Sequence, residues 1–387
     1  MKINFAEIRT AIAHDQLTLA GGVAGSEKVL LALKQLFPSA PIYTTLYNSQ
    51  NQSNYFKDWD IRTSFIQNLP RAKSLYQMYL PLMPTAVEQL NFEGYDLVLS
   101  SHHSVIKGII TNPETLHICY CHTPMRYAWD LYHLYIAKDD VKKWQKPLIP
   151  WLMNYLRTWD RVSADRVDEF IANSNHVARR IKKYYRREAT VIYPPVETSR
   201  FSPTKENEDF YLMVGRMVAY KRHDLAIEAF NKNGKDLIII GDGPERSRLE
   251  NKAKQNIKFL GRQPDNIVVN YLQRCKLFIF PGEEDFGIAP VEAMACGKPI
   301  IAYKKGGVLE TVKEGITGIF FPEATSDSLN EAILLSEKVT WSSEQIALHA
   351  SLFSQERFNK EIISFIKTKF YDYKRQDLTN LTEFPVH

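Results

Sequence analysis

The stretch that decides how this sequence folds is "PGEEDFGIAPVEAMACGKP" (281–299), which places Glu284 and Glu292 with seven residues between them. The apolar run "CKLFIF" (275–280) leads into this stretch and has the length of a strand. The residues "EAMACGKP" at its end predict a short helix that stops at a glycine and a proline. A buried strand that leads through a loop into a helix is where α/β proteins bind ligands, so the stretch predicts a binding site.

Similar apolar runs recur along the 387 residues and alternate with helical patterns. Nearly continuous apolar runs of about five residues, separated by helical stretches, indicate parallel sheets buried on both faces. The runs lie at 96–101, 116–121, 169–174 and 189–195 in the first half, and at 210–215, 236–243, 257–261, 277–282 and 299–303 in the second. We therefore predict an α/β fold with two doubly wound Rossmann-like domains that face a cleft at the carboxyl ends of their strands.

The boundary between these domains is predicted near residue 200. The stretch "YPPVETSRFSP" (193–203) has three prolines and no periodicity, which is typical of an interdomain linker. The predicted domains are residues 1–195 and 203–364. The linker would also act as the hinge on which the cleft closes.

Composition excludes several classes of protein. Hydrophobic residues make up 44% and charged residues 24%, as in ordinary globular proteins. No apolar run approaches the roughly 18 residues that cross a bilayer, and the start "MKINFAEIRTAIAHD" has no signal-peptide core, so we expect a cytoplasmic location. The cysteines are expected to be buried thiols, and no zinc site is expected because their spacing lacks a second pair. They are Cys119, Cys121, Cys275 and Cys296.

Two cations follow the first strand of the second half. In "VGRMVAYKR" (214–222), Arg216 comes directly after the predicted strand and Lys221 five residues later. Two cations at one strand end suit a diphosphate, because Arg can bind two oxygens and Lys adds a point charge. The alternative is a pair of ordinary surface cations.

The helix start in the opening stretch would supply more phosphate ligands. The backbone N–H groups near Gly287, Ile288 and Ala289 lack helical partners and could bind phosphate oxygens. Carboxylates repel phosphate, so Glu284 and Glu292 are suited instead to accept hydrogen bonds from sugar hydroxyls. The alternatives are a solvated loop for Glu284 and, for Glu292, a first-turn glutamate favoured by the helix dipole.

Together these motifs resemble a known enzyme family. "EDFGIAPVEAMACGKPIIA" resembles the E-x7-E motif of the retaining GT-B glycosyltransferases of family 4, and "VGRMVAYKR" resembles their phosphate-binding segment. "AGGVAGSEKVLLAL" is similar to their glycine-rich first loop, although it lacks the acidic residue often found soon after the glycines. "ICYCHTPMRYAWD" and "ANSNHVARRIKKYYRREATVIYPPV" resemble a bacterial polysaccharide-assembly subgroup that includes mannosyltransferases.

The resemblance implies roles for individual residues. Arg216 and Lys221 would bind the diphosphate, Glu284 the donor sugar and Glu292 the ribose, while His122 would contact the donor sugar from the other domain. The implied catalytic residues are Arg216, Lys221, Glu284 and His122, and the implied donor-binding residues are Gly22, Arg262, Gln263, Asp285, Phe286, Gly287, Ile288, Ala289 and Glu292. A C-terminal helix, from about 365 to 387, would pack back on the first domain.

The implied reaction is transfer of a hexose from a nucleoside-diphosphate sugar to a glycan or lipid-linked glycan, with retention of the anomeric configuration. A UDP-glucose-type sugar donor is favoured and GDP-mannose is next. No cofactor or metal is expected, and the metal-like "DWD" (58–60) lies in a polar stretch far from the other motifs. No protein nucleophile is nominated.

Basic and aromatic residues are interleaved in the first half and leave alternatives open. Lys142, Lys143 and Lys146 with Trp144 and Trp151 could make peripheral contact with the inner face of a membrane, and "RRIKKYYRRE" (179–188) would add attraction. The competing interpretation is core tryptophans beside solvated lysines. Two other functions remain open: a basic membrane or nucleic-acid binding protein, although no nucleic acid is expected, and a nucleotide-sugar epimerase or phosphorylase on the same fold.

Overall fold

A computed structural model describes residues 7–17, 25–49, 56–133, 147–204 and 207–382. The chain divides into two units, Met1–Ile192 with Asn359–His387, and Tyr193–Phe358. The predicted boundaries near 195, 203 and 364 therefore differ from the observed divisions after residues 192 and 358.

The stretch predicted as a linker is part of the second unit. Val196 is fully buried in that unit's core. Its backbone N–H donates to the carbonyl of Phe353 at 3.1 Å, and its carbonyl accepts from the N–H of Gln355 at 3.0 Å. The predicted interdomain linker, 193–203, therefore begins where the two units divide, but Val196 packs into the core of the second unit, which the lack of periodicity did not reveal.

The first unit contains a seven-stranded parallel sheet with the order β3-β2-β1-β4-β5-β6-β7. The order of the strands reverses between β1 and β4, which are paired so that His14 lies opposite Ser101. Open α/β sheets bind ligands at the carboxyl ends of strands at such a reversal. The strands are β1 Thr10–His14, β2 Ile42–Thr44, β3 Ile61–Thr63, β4 Leu97–His102, β5 Leu116–Cys121, β6 Glu169–Ala172 and β7 Thr190–Val191.

Helices connect these parallel strands, as the crossovers between parallel strands require. The α-helices of the first unit are α1 Gly25–Leu36, α2 Ala72–Leu75, α3 Met83–Glu88, α4 Leu148–Ser163 and α5 Asn175–Tyr185. Short 3₁₀ helices lie at Phe65–Asn68, Tyr76–Leu82, Ile106–Gly108 and Ala164–Arg166.

The second unit contains a six-stranded sheet with the order β10-β9-β8-β11-β12-β13. Its strands are β8 Tyr211–Val214, β9 Leu237–Ile240, β10 Ile257–Gly261, β11 Leu277–Phe280, β12 Ile300–Tyr303 and β13 Gly318–Phe321. Its α-helices are α6 His223–Asn233, α7 Arg246–Glu250, α8 Asp265–Arg274, α9 Ile288–Ala295, α10 Val308–Thr311, α11 Ser326–Ser336 and α12 Ser343–Ala350, with 3₁₀ helices at Thr198–Arg200, Ala219–Lys221 and Ser351–Phe353. Separate apolar clusters cover the sheet, one including Phe278 and Phe280 and the other Leu277 and Ile279, so alternate residues of β11 face opposite cores.

The final helix, α13 (Gln355–Thr382), begins in the second unit and continues in the first. In the first unit the Tyr373 hydroxyl donates to the Pro113 carbonyl at 2.5 Å, and Lys374 Nζ donates to the Glu114 carbonyl at 2.8 Å. Lys369 also pairs with Glu169 at 2.7 Å. From residue 369 onward, hydrogen bonds and an ion pair thus hold the C-terminal helix against the first unit.

Each of the nine predicted apolar runs contains a strand, and the prediction of two Rossmann-like parallel-sheet domains is confirmed. Sequence analysis missed β1, β2, β3 and β13. β2 and β3 have only three residues each, and β13 begins with a glycine. These strands are defined by pairing with neighbours rather than by a continuous apolar run. All four cysteines are free and buried, as expected.

Candidate functional site

The cation Lys221 and the carboxylate Glu284, predicted from separate motifs, form an ion pair in the second unit. Lys221 Nζ donates to Glu284 Oε1 at 2.7 Å, and each side chain is only 19% exposed. Lys221 follows β8 and Glu284 follows β11, and these two strands are neighbours in the sheet. The parallel arrangement therefore brings two residues that are far apart in sequence to the same carboxyl edge.

Arg216 lies at the same edge, two residues after the end of β8, and is exposed. Within the described ranges it has no ion-pair partner, whereas Lys221 is paired with Glu284. Arg216 therefore carries uncompensated positive charge at this edge, as a site for a polyanionic ligand requires.

Glycines allow the loops of this edge to pack closely. A Cβ on Gly282 would lie 2.7 Å from Lys221 Cα, and one on Gly307 would lie 2.2 Å from the Asp285 carbonyl oxygen. The Gly307 N–H donates to the Glu284 carbonyl at 2.8 Å. The backbone on both sides of Glu284 is thus held in place by close backbone packing that only glycine permits.

The helix start predicted to bind phosphate is present at α9. Gly287 is its N-cap, with φ of 89°, and no side chain caps the helix. The first N–H groups, at Ile288 and Ala289, have no acceptor within the helix and carry the positive end of its dipole. Pro290 is the third helical residue, where its missing N–H removes no helical bond.

The remaining predicted donor-binding residues are less closely grouped. Glu292 and Asp285 are half-buried on α9 and on the loop before it, and Phe286 is buried against Tyr193 and Phe353. Phe286 therefore supports the loop from within the core. Arg262 and Gln263 follow β10, the edge strand, which is separated from β8 by β9.

The two residues after β10 differ in their surroundings. Arg262 is exposed, while Gln263 Nε2 donates to the Leu260 carbonyl at 2.6 Å. The side-chain amide of Gln263 is thus used within its own loop, where it shapes the end of β10.

His122 belongs to the first unit, where it follows β5 and is 9% exposed. Its ring Nε2 lies 2.8 Å from Ser101 Oγ. Its backbone N–H donates to the His102 carbonyl at 2.8 Å. Burial, with further effects of His103 and His14, holds the pKa of His122 well below its usual range. His122 is therefore a neutral hydrogen-bonding group. Gly22 lies outside the described residues.

Asp15, directly after β1, is a buried carboxylate that sequence analysis missed. Its carboxylate, 1% exposed, accepts four backbone N–H groups: Oδ2 from His103 and Ser104, at 2.6 and 2.9 Å, and Oδ1 from Val105 and Ile106, at 2.6 and 2.8 Å. Burial raises the pKa of Asp15, but the neighbouring histidines and these N–H groups outweigh burial and hold the pKa below its usual range. The available signal was a polar "HD" pair directly after the run "TAIA" in front of the glycine-rich loop.

Asp60 of "DWD" has a structural partner, since its Oδ2 accepts from Arg62 Nη2 at 2.8 Å. Across the residues that the structure describes, no group of three or more His, Cys, Asp or Glu side chains is arranged to hold a metal ion. The helices of the described ranges include none that is both long and apolar enough to cross a membrane.

Two family models match the chain and together extend over residues 23–346. The first, "Glycosyltransferase Family 4", matches residues 23–200, and the second, "Glycosyl transferases group 1", matches residues 196–346. The two parallel-sheet units have the fold of the GT-B class. The chain belongs to glycosyltransferase family 4.

Relatives of known sequence match about half of the chain. An uncharacterised glycosyltransferase of Methanocaldococcus jannaschii is 31% identical over 172 residues, 43% of this chain and 49% of the relative. A Corynebacterium glutamicum protein, named GDP-mannose-dependent monoacylated alpha-(1-6)-phosphatidylinositol monomannoside mannosyltransferase, is 30% identical over 200 residues, 43% of this chain and 52% of the relative. The chain spans about half the length of the curated relatives it matches.

Solved structures match nearly the whole fold. HepE of Anabaena in complex with UDP-glucose has a TM-score of 0.66 at 16% identity, covering 93% of this chain and 100% of HepE. Sucrose-phosphate synthase of Thermosynechococcus elongatus has a TM-score of 0.69 at 17% identity, covering 94% and 100% of the two chains. At these identities the likeness establishes the fold alone.

Proposed function

We propose that this protein transfers a hexose from a nucleoside-diphosphate sugar to a glycan or lipid-linked glycan, with retention of the anomeric configuration. The observation that carries this proposal is the Lys221–Glu284 ion pair, at 2.7 Å, on the sheet edge that also carries Arg216. Cations for a diphosphate and a carboxylate for sugar hydroxyls are thereby placed side by side. A UDP-glucose-type donor is favoured and GDP-mannose is next; HepE was solved with the former, and the Corynebacterium relative is named for the latter.

The charges of this edge suit the departure of a nucleoside diphosphate. Breaking the bond between the anomeric carbon and the phosphate oxygen leaves the diphosphate with additional negative charge. Lys221 Nζ, which donates to Glu284 at 2.7 Å, places an ammonium group at this edge, where it would attract phosphate oxygens. Arg216 and the N–H groups at the start of α9 add positive charge that is already in place before the reaction, which stabilises the transition state most.

We assign no protein nucleophile to this reaction. In the proposed course the acceptor hydroxyl attacks the anomeric carbon from the face that the diphosphate leaves, which retains the configuration. The new bond joins the acceptor oxygen to the anomeric carbon, and the departing phosphate oxygen takes the hydroxyl proton. Glu284 stays paired with Lys221 and accepts hydrogen bonds from the sugar.

A panel of sugar nucleotides tests this function. UDP-, GDP- and ADP-hexoses are each incubated with the protein, and hydrolysis, transfer to lipid-linked glycan fractions and product configuration are followed by NMR. We expect release of one nucleoside diphosphate together with a retained glycoside. Epimerised sugar nucleotide, or turnover that requires inorganic phosphate, would instead support an epimerase or a phosphorylase.

No metal ion takes part in the proposed reaction, because Arg216, Lys221 and backbone N–H groups neutralise the leaving group. Turnover should therefore be unchanged in excess EDTA, measured as release of nucleoside diphosphate. Loss of turnover in EDTA that Mn²⁺ or Mg²⁺ restores would contradict this and would direct attention back to Asp58 and Asp60.

Peripheral contact with an anionic membrane would bring the protein to a lipid-linked acceptor. The support comes from α4, where Leu148, Trp151 and Tyr155 are exposed at spacings of three and four residues, and Trp151 is 79% exposed. Such a stripe lies on one face of a helix, and tryptophan favours the membrane interface. Trp159 on the same helix instead packs into the core and donates to Glu88 at 2.9 Å. The lysines predicted to join this surface, at 142, 143 and 146, lie outside the described residues, as does Trp144.

Vesicle co-sedimentation tests the membrane contact. Binding to anionic but not neutral vesicles, weakened by salt and by Trp151→Ser, is expected. Leu348→Ser is the matched control, because Leu348 is 72% exposed on the second unit. Equal pelleting with and without anionic lipid would exclude the contact, and salt-sensitive binding to DNA without sugar transfer would support a nucleic-acid binder.

A further inference from the structure

In the first unit, one serine hydroxyl lies between two buried imidazoles. Ser101 Oγ is 3.1 Å from His14 Nδ1 and 2.8 Å from His122 Nε2. The sheet register brings the three together, because His14 on β1 lies opposite Ser101 on β4, and Ser101 lies opposite Tyr120, two residues before His122. His14 and Ser101 are fully buried.

The tautomers of the two rings are coupled, because both rings are hydrogen-bonded to one hydroxyl that has a single proton. Burial is the main reason that the pKa values of His14 and His122 lie far below the usual range, about 3 for His14, so both rings are neutral at pH 7. A hydroxyl has one proton to donate and two lone pairs that accept. If Ser101 accepted from both rings, its own buried proton would have no acceptor among the described residues, so Ser101 donates to one ring and accepts from the other. Either His14 Nδ1–H donates to Ser101 and Ser101 donates to His122 Nε2, or every bond runs the other way.

The other nitrogen of His14 distinguishes these two arrangements. His14 Nε2 is buried and has no hydrogen-bond partner among the described residues. In the reverse arrangement this nitrogen would carry a buried N–H without an acceptor, and orphaned N–H groups are rarer in proteins than under-satisfied acceptors. The first arrangement is therefore favoured, and it leaves the proton of His122 on Nδ1.

We propose that Ser101 and His14 are positioning residues that fix His122 in the tautomer with its proton on Nδ1, so that His122 serves as a neutral hydrogen-bond donor to a ligand oxygen. No hydrogen bond to His122 Nδ1 is made by the residues that the structure describes. A neutral N–H donor suits a sugar hydroxyl or ring oxygen and does not require a protonated ring. The expected effect on kcat rests on the proposed function. The tautomer of His122 does not, because it can be measured without sugar transfer.

The groups around this relay also act against a charged His122. His103 and His102 from β4 and the loop after it disfavour a second positive charge, while only Asp15 favours it. Asp15 is already occupied by four backbone N–H groups. The ring therefore remains neutral, and its orientation and tautomer are set by Ser101.

The matched control is a second serine–histidine pair on the same two strands. Ser100 Oγ lies 2.7 Å from His117 Nε2, and both residues are fully buried. Successive residues of a strand point to opposite faces, so this pair lies on the face of the sheet opposite to Ser101 and His122. Replacing Ser100 removes an equally short buried bond without touching the relay.

The test uses the full-length protein with ¹⁵N-labelled histidine and long-range ¹H–¹⁵N correlation spectra at pH 7.5, with His122→Gln to assign the ring of His122. In the wild type we expect the proton on Nδ1. Ser101→Ala and His14→Leu should shift the population toward the Nε2–H form, whereas Ser100→Ala and His14→Asn, which keeps an amide donor near the position of Nδ1, should not. A wild-type proton on Nε2, or an unchanged tautomer in Ser101→Ala, would overturn the proposal.

The kinetic consequence separates this proposal from the function itself. Ser101→Ala should lower kcat about 10-fold and Ser100→Ala less than about 2-fold, with the spectra of the other histidines unchanged. Equal losses in the two serine variants would overturn a positioning role in catalysis. If no sugar nucleotide were turned over, the proposed function would fail, while the tautomer measurement would still decide the relay.

Discussion

The carboxyl edges of the two sheets differ in the burial and charge of their polar side chains. In the second unit the edge is charged and accessible, with exposed Arg216, the Lys221–Glu284 pair and an uncapped helix start. In the first unit, His14 and His122 are buried and hydrogen-bonded through Ser101, and the Asp15 carboxylate is enclosed by backbone N–H groups. Two sheets of the same class therefore present fixed positive charge in one unit and neutral hydrogen-bonding groups in the other.

The difference shows how burial selects the chemistry of an edge. A charge that is left near solvent keeps its ionisation and can meet a diphosphate. A buried imidazole loses its proton because desolvation penalises the charged form, so it can only donate or accept hydrogen bonds. The predictions below test this contrast, from the largest expected effect to the smallest.

Acid should destabilise the first unit more steeply than the second. Burial lowers the pKa of His14 to about 3 and of His117 to about 4, and holds the pKa values of His102 and His122 well below the usual range, whereas in the second unit burial lowers that of His223 to about 4. Below pH 6.5 the unfolded histidines bind protons that the folded ones do not, so stability falls from about pH 6.5 toward 3 or 4. Each of these histidines lowers the free energy of unfolding by about 1.4 kcal/mol per pH unit. The four in the first unit together give a slope of up to about 5 kcal/mol per pH unit, and His223 in the second unit gives about 1.4.

Urea unfolding at several pH values measures this contrast. Tryptophan fluorescence in Trp341→Phe reports only the first unit, and limited proteolysis mapped to residues 193–358 reports the second. His117→Gln removes one group that takes up a proton on unfolding, so it should reduce the slope of the first unit's free energy of unfolding against pH by about 1.4 kcal/mol per pH unit. Equal slopes in the two units would contradict the assignment of the buried histidines.

Removal of either cation at the charged edge should strongly reduce turnover. We expect Arg216→Ala and Lys221→Ala each to lower kcat on the order of 10²-fold, because a positive group facing the leaving diphosphate is lost at the transition state. Lys232→Ala is the control, since Lys232 pairs with Asp327 at 2.9 Å elsewhere on the same unit. Steady-state kinetics with the accepted sugar nucleotide measure the effect, and wild-type turnover in either variant would remove that residue from the site.

Two glycines, Gly282 in the second unit and Gly108 in the first, leave no room for a Cβ, and replacing them should have different functional consequences. A Cβ on Gly282 would meet Lys221 Cα at 2.7 Å, and one on Gly108 would meet the Trp159 ring at 2.3 Å. Gly282→Ala and Gly108→Ala should each lower the free energy of unfolding of their own unit by about 1 to 3 kcal/mol. Only Gly282→Ala should weaken nucleotide binding, measured by calorimetry.

Gly234→Ala is the control for backbone strain, because Gly234 has φ of 72° and no atom within 4 Å of a Cβ at that position. If Gly234→Ala destabilised the second unit as much as Gly282→Ala, strain rather than the close approach to Lys221 would explain the loss.

Two arginines in left-handed backbone conformations should give the smallest effects. Arg186 follows α5 with φ of 58°, and Arg222 precedes α6 with φ of 52°. Replacement by glycine removes the steric cost of a Cβ there and should raise the free energy of unfolding by about 0.5 to 1 kcal/mol in each unit. Thermal unfolding measures this, and turnover should stay unchanged in Arg186→Gly. A lower midpoint in both variants would show that the arginine side chains stabilise more than the strain costs.

Sequence alone determined the class of fold and nominated the charged residues at the edge of the second sheet. Each apolar run lay within or around a strand, because strands of a parallel sheet buried on both faces must be apolar almost throughout. Arg216, Lys221 and Glu284 could be nominated because each follows such a run within a few residues, and parallel strands end at one edge. The short strands β2 and β3 could not be found, because three residues carry too little pattern.

The tertiary structure alone decided which groups meet and which charges survive. Nothing local in "TAIAHD" shows that Asp15 collects four backbone N–H groups from a loop about 90 residues later, or that His14 and His122 share the hydroxyl of Ser101. Val196 likewise packs in a core although two prolines precede it. Sequence pattern reports local conformation and burial, whereas hydrogen-bond partners and desolvation depend on strands that become neighbours only when the sheet is assembled.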